Sequence, residues 1–416
     1  MAARIHTSVS EETGNGWSDS LLTFRSRSLS GVAGGKAMHK SIRILITAFA
    51  GAAIVVALGF SSCRTNPNAE NIRIGVINPL TGAFGTYGEP IRDGITMAVD
   101  EINSKGGING RKIELVSEDD GGDPKTSVNA FTKLATVSKV PVVIGPLSSG
   151  TSMATAPLAD RYKVVQLSTL AGTIDLTHAG DFVFRIYPSS EMGSRFIAKE
   201  AVDRFKAKRA AIFYANNAIG IASRRFVTEV LQQSGVNVVD VETFNDGDRD
   251  FRTQLTKIRD AKPDLIIASA YYEEGAQILV QAKQLGITVP FLGEDNWFGP
   301  IANIIGDQRK NLYFADIAFG ENYKDDQPMQ QFIVAFKQRY NRVPNSYSAC
   351  GYTTVYLIKQ AIESSGYDGS KIRDALYKTD IDTAFGRVKY DQNGDNVGAK
   401  YALYQLSENN ERVPVP

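Results

Sequence analysis

Val142-Val143-Ile144-Gly145-Pro146-Leu147-Ser148-Ser149-Gly150-Thr151-Ser152 is an apolar run that stops at a Gly-Pro pair and continues into small hydroxyl residues. Val142 to Ile144 has strand character, and Met153-Ala154-Thr155-Ala156 begins a helical stretch just beyond. The first amides of a helix have no internal partners, and its dipole is positive at that end. Two readings of Ser148, Ser149, Thr151 and Ser152 are therefore open. They are ordinary helix caps, or they join those amides in holding an anion such as a carboxylate.

Working outward, strands and helices alternate on both sides of this turn. Ile72–Ile77 reads as a strand, Ile91–Asn103 as a helix, Lys112–Ser117 as a strand and Pro124–Ser138 as a helix opening with proline. Val164–Leu167 and Phe182–Arg185 read as further strands. A second series follows, with strands at Ala210–Tyr214, Val236–Phe244, Leu265–Ala268 and Val289–Leu292. Helices lie between them at 219–234, around Phe251, Leu255 and Ile258, and at 274–285. Such alternation predicts an α/β fold of two lobes, each a mainly parallel sheet covered by helices, with ligands beyond the carboxyl ends of the strands. After 316 the pattern changes to helices at Pro328–Arg339, Ser348–Ser364 and Lys371–Tyr377. Phe385–Gly394 and Lys400–Leu406 then read as a hairpin pair. This tail is expected to complete the two lobes. The expected division is 72–187 with 318–385, and 188–317 with 386–416.

The composition excludes several classes. The 416 residues carry 46 basic and 45 acidic side chains, a net charge of +1, which argues against a nucleic-acid partner drawn by bulk charge. Two cysteines, Cys63 and Cys350, allow no disulfide framework or metal-binding spacing. Of three histidines only His178 lies beyond the N-terminal segment, so neither a His-ligated metal nor His-based catalysis is expected. No cofactor is expected. Glu118-Asp119-Asp120 resembles a metal cluster, but a solvated strand end with capping duties is the simpler reading. Cys350 reads as a small buried apolar residue. Trp297 and Phe298 suit a cleft wall or packing between lobes equally well.

The N-terminal segment reads as an address. Residues 1–37 are rich in Ser, Gly and Arg and lack a period, so they read as an extension that is disordered or untranslated, with Met38 the start. Met38-His39-Lys40-Ser41-Ile42-Arg43 is basic, and the apolar Ile44–Phe60 runs for about 17 residues, near the lower limit for a span. With Ser61-Ser62-Cys63 after it, 38–62 is expected to be a secretory signal. Its end resembles a bacterial lipobox with Phe60 in the usual leucine position, which implies lipidation of Cys63. Residues 63–71 read as a tether.

From Ile72 onward the chain resembles the periplasmic Leu/Ile/Val-binding proteins, the solute receptors of branched-chain amino acid importers. The carrying stretches are Pro79–Gly88, Gly106–Leu115, Glu118–Asp120 and Ile144–Ser149. Further on they are Gly247–Phe251, Tyr271–Ala276, Phe291–Asp295 and Asp391–Asp395. The resemblance implies a periplasmic binding protein type I fold with three interlobe crossovers, a monomer on the outer side of a bacterial membrane, and an ABC permease as partner. It assigns Ser149 to the ligand's α-carboxylate, leaving Ser148 and Ser152 to capping. Asp295 and Tyr271 are assigned to its ammonium end and Tyr87 to its side-chain pocket. A zwitterion needs such opposed groups, since charge-assisted hydrogen bonds are the strong ones.

Two positions depart from the family. In Leu167-Ser168-Thr169-Leu170-Ala171-Gly172-Thr173 a family threonine falls on Gly172; Thr173 or Thr169 is expected to substitute, with Ala171 contributing backbone. A tyrosine of the second lobe's cleft wall is replaced by Ile219, which admits a larger or more apolar solute, or a different one. A ligand-sensing receptor for amides or small carboxylates on the same fold is the competing reading, but no output module is expected after residue 72. A hydrolase with Ser149 as nucleophile lacks a G-x-S-x-G elbow.

Overall fold

The computed structural model describes residues 70–82, 84–294, 297, 301–409 and 411–416, with the side chains of 302 and 303 left out. The expected extension, signal and lipidation site at Cys63 lie outside the described residues, as do Phe298 and Asp295. The described residues form one compact unit.

Its first sheet is fully parallel. β1 (Ile72–Ile77), β2 (Ile113–Glu118), β3 (Val142–Ile144), β4 (Val165–Ser168) and β5 (Val183–Arg185) lie in the order β2-β1-β3-β4-β5. The buried Val142, Val143 and Ile144 explain the unbroken apolar run, because a central parallel strand is covered on both faces. Gly145 has φ +98°, and a Cβ there would stand 2.0 Å from the Ile77 carbonyl oxygen, so the strand can turn here only at glycine. The intervening helices are α1 (Gly85–Ser104), α2 (Pro124–Thr136) and α3 (Ser149–Tyr162). Ile91, Ile95, Ala98, Val99 and Ile102 form the buried face of α1.

The second lobe runs through α4 (Ser190–Asp203), β6 (Arg209–Ala215), α5 (Ala218–Gln233), β7 (Asn237–Phe244), α6 (Arg252–Asp260), β8 (Leu265–Ser269), α7 (Tyr272–Gln284), β9 (Phe291–Gly293), α8 (Ala302–Ile305) and β10 (Leu312–Ile317). Two late strands, β13 (Tyr401–Leu406) and β14 (Arg412–Pro414), add antiparallel edges in the order β14-β13-β10-β9-β8-β6-β7. One face of this sheet packs Phe213, Phe244 and Phe251, with ring centroids 5.0–6.0 Å apart. The other packs Ile197, Ile212, Val227 and Leu231. Trp297 belongs to the first of these cores, packed over Gly275 and Gly293, with its Nε1 donating to the Ala268 carbonyl at 3.2 Å.

Between β10 and β13 the chain returns to the first lobe as α9 (Gln327–Tyr340), α10 (Ser346–Ser365), α11 (Gly369–Leu376) and the hairpin β11 (Asp380–Thr383)–β12 (Gly386–Lys389). The expected pairing of 385–394 with 400–406 is corrected here. Asp380–Thr383 pairs with Gly386–Lys389, whereas Tyr401–Leu406 joins the second sheet against β10. Val388, Tyr390 and Ala399 belong to the first core, so the last passage between lobes falls after Ala399 rather than at 386. The other two passages follow β5 and β10. α10 lies close against α1: a Cβ on Gly94 would stand 2.0 Å from the Ser348 carbonyl oxygen, and one on Gly351 2.3 Å from that of Ile91.

The passages meet at one buried charge. Asp316, at the end of β10, is fully buried and accepts from Tyr187 Oη at 2.6 Å and Ser346 Oγ at 3.3 Å. It also pairs with Arg412 of β14.

Candidate ligand-binding cleft

The turn after β3 divides its hydroxyls between several tasks. Ser148 caps α3: its Oγ accepts from the Thr151 amide at 3.2 Å, while Thr151 Oγ1 accepts from the Ser148 amide at 3.1 Å. This capping box leaves the Ser149 side chain outside the cap. Ser149 Oγ accepts from the Thr173 amide at 3.2 Å, and the residue lines the cleft. Ser152 does not cap: it faces inward, with Oγ 3.1 Å from the Pro146 carbonyl oxygen and 2.9 Å from Ser168 Oγ.

Behind this turn stands Arg185 of β5, a fully buried guanidinium. It donates to the carbonyls of Thr173 at 2.7 Å and Ala171 at 3.4 Å, and pairs with Asp395. Thr177 Oγ1 donates to the same Asp395 at 2.7 Å. The loop 169–173 thus hangs from a buried ion pair at its back and touches Ser149 at its front.

The cleft is walled by Phe84, Tyr87, Leu147, Leu170, Tyr187, Ile219, Tyr271 and Tyr347 around Ser148 and Ser149. Phe84 of the first lobe meets Tyr271 of the second edge-on, centroids 6.0 Å apart. Tyr87 stacks at a tilt on Tyr347 at 5.7 Å. Such walls offer apolar area and a π face for a cation.

Of the residues singled out from sequence, Ser149, Tyr87, Tyr271 and Ile219 share this cleft. Ala171 is fully buried, with its carbonyl toward Arg185, and does not line it. Thr173 is also buried, and its Oγ1 accepts from the Asp175 amide at 3.4 Å, capping a short 3-10 turn instead of replacing the threonine missing at Gly172. Thr169 Oγ1 is buried without a hydrogen-bond partner among the described residues. Asp295 lies outside the described residues. Sequence reasoning missed Phe84, Tyr187 and Tyr347 as walls; a tyrosine just after a strand or a helix cap was the available signal.

A second, smaller hollow shares Leu170, Tyr187 and Ile219 with the cleft. It adds Gly172, Pro188, Ser190, Gly193, Glu294, Ala315 and Tyr401. Glu294 is 5% exposed. Its Oε1 accepts from Ser194 Oγ at 2.6 Å and Ser223 Oγ at 2.7 Å, and its Oε2 from Ser269 Oγ at 3.1 Å. Burial pushes its carboxyl above the usual value, and the three serine hydroxyls oppose that shift.

The acidic run after β2 is engaged in local structure. Asp119 accepts from the Leu80 and Gly121 amides at 3.0 Å, Asp120 from Ser127 Oγ at 2.6 Å, and Glu118 pairs with Lys133 at 2.7 Å. Cys350 is fully buried, its Sγ 3.3 Å from the Thr169 carbonyl oxygen, and burial pushes its thiol far up.

Two α/β lobes joined by three passages, with a polar-ended aromatic cleft between them, define a solute-binding protein. A sequence profile of the periplasmic binding protein family matches residues 71–411, and the chain belongs to that family. Among its relatives, the leucine-, isoleucine-, valine-, threonine- and alanine-binding protein of Pseudomonas aeruginosa is 27% identical over 381 residues, 91% of this chain and 100% of that one. The Leu/Ile/Val-binding protein BraC3 of Rhizobium johnstonii is 29% identical over 360 residues, 85% of this chain and 95% of that one. The isoleucine complex of LivJ from Streptococcus pneumoniae superposes with a TM-score of 0.73 at 28% identity, covering 83% of this chain and 100% of that one. Proteins of this family bind solutes outside the cytoplasm and are not enzymes.

Proposed function

We propose that the chain binds a branched-chain or related α-amino acid in the cleft and delivers it to an ABC permease. The observation that carries this reading is Ser149 at the positive end of α3, in a cleft walled by Tyr87, Tyr271 and Tyr347. The amides and hydroxyl there receive the α-carboxylate, Tyr271 and Asp295 receive the ammonium, and Tyr87 and Tyr347 cover the side chain. The relatives' amino acid specificities support the same class. The working form is a monomer, held at the membrane by a lipid on Cys63 after removal of 38–62.

Thermal shift tests the class, because a ligand that binds only the folded chain raises the midpoint. Leucine, isoleucine or valine is expected to raise it, and acetamide and small carboxylates are not. S149A should then weaken leucine binding by about 1.5–3 kcal/mol, the range for hydrogen bonds to charged groups. No shift with any α-amino acid refutes the reading. Absence of fatty-acid labelling that depends on Cys63 refutes the anchor.

A further inference from the structure

Gly172 and Ile219, the two positions that the resemblance marks as departures, line one and the same chamber. That chamber is not inert. A carboxylate has about four acceptor positions, and the three serines occupy two on Oε1 and one on Oε2 of Glu294. One position on Oε2 remains, in a residue that lines the chamber. Among the described residues no cation pairs with Glu294. A buried carboxylate without a cation is costly, and a donor arriving with the solute offsets that cost. Ser190, on the same wall, has a buried Oγ with no hydrogen-bond partner among the described residues. Glu294 and Ser190 thus line a space that shares Leu170, Tyr187 and Ile219 with the amino acid cleft, and Gly172 puts no side chain into that lining.

We propose that this chamber is a specificity subsite, in which Glu294 accepts a hydrogen bond from a nitrogen donor at the end of the solute's side chain, an amide or an ammonium. The proposal rests on the amino acid reading of the main cleft. It separates this chain from a receptor for purely hydrocarbon side chains, for which a buried acid is a penalty.

Two isosteric pairs test it by calorimetry on the full mature chain: leucine against asparagine, and norleucine against ornithine. In the wild-type protein the nitrogen member of at least one pair should bind about tenfold or more tighter, matching one hydrogen bond to a charged group. E294Q should bring that ratio near one. G172T should do the same by filling the chamber; its Cβ would meet Ser190 Cβ at an ordinary 3.7 Å, so this variant carries the test if E294Q fails to fold. A wild-type preference for the hydrocarbon member of both pairs overturns the subsite. So does a ratio that survives both substitutions. Equal weakening of both members by E294Q also overturns it, since Glu294 would then hold the α-ammonium common to all four. If none of the four binds while isoleucine or valine does, the subsite falls alone; if no α-amino acid binds, the amino acid reading itself falls.

Discussion

Removing Arg185 should damage both the fold and the cleft, and the size of each effect follows from its contacts. R185M keeps the side chain's length and apolar stem but deletes the guanidinium. Asp395 then loses its ion pair and keeps the Thr177 hydroxyl, while the carbonyls of Thr173 and Ala171 lose their donor. Breaking a buried pair from one side costs about 3–5 kcal/mol. At about 2–4 °C per kcal/mol for larger domains, the thermal midpoint should fall by about 6–20 °C. The loop 169–173 also carries the amide that meets Ser149 Oγ, so loosening it should weaken leucine binding about three- to tenfold, the value of one neutral hydrogen bond. Circular dichroism melts and calorimetry read the two effects. R185M/D395L, which removes both charges, should recover about 1–3 kcal/mol of the loss, because the cost lies in the stranded partner. An R185M midpoint within about 2 °C of wild type, or no recovery in the double variant, refutes this account of the loop.

G94A should destabilise by about 1–3 kcal/mol or more, since α1 must retreat from the Ser348 carbonyl; an unchanged urea midpoint contradicts the close helix contact. Because burial raises the Glu294 carboxyl above its ordinary 4.5, the folded chain keeps that proton after the unfolded chain has lost it. Stability from this group is therefore present below pH 4.5 and is lost as pH climbs toward the folded value, so E294Q should gain on wild type over that window. Parallel stability curves from pH 4 upward would count against it. D295A should cost about 2–5 kcal/mol of leucine affinity if this residue faces the ammonium, and an unchanged Kd removes it from the site.

The α/β alternation was legible because parallel strands covered on both faces leave unbroken apolar runs such as Val142–Ile144. β10 escaped notice because Asp316 interrupts its apolar character, and the compensating Arg412 is distant in sequence. α4 escaped because its buried face is largely small, Gly193, Ser194, Ala198 and Ala201 beside Ile197. In the cleft, Ser149, Tyr87, Tyr271 and Ile219 were legible through an ordered resemblance, whereas periodicity alone left caps and anion site undivided. Thr173 misled because a hydroxyl near the right position is not a hydroxyl facing the right way; its own 3-10 turn claims it. Glu294 carries no local signal, since its three serines come from α4, α5 and β8.

Asp316 sets a condition on how the lobes can part. Tyr187 leads out of the first passage and Ser346 opens a first-lobe helix, while Asp316 ends a second-lobe strand. Any swing that drew them apart would take both hydroxyls from Asp316 and leave it the Arg412 pair and the Ile317 amide. Because Tyr187 also forms part of the cleft wall, a single side chain links that wall to the buried charge where the lobes join.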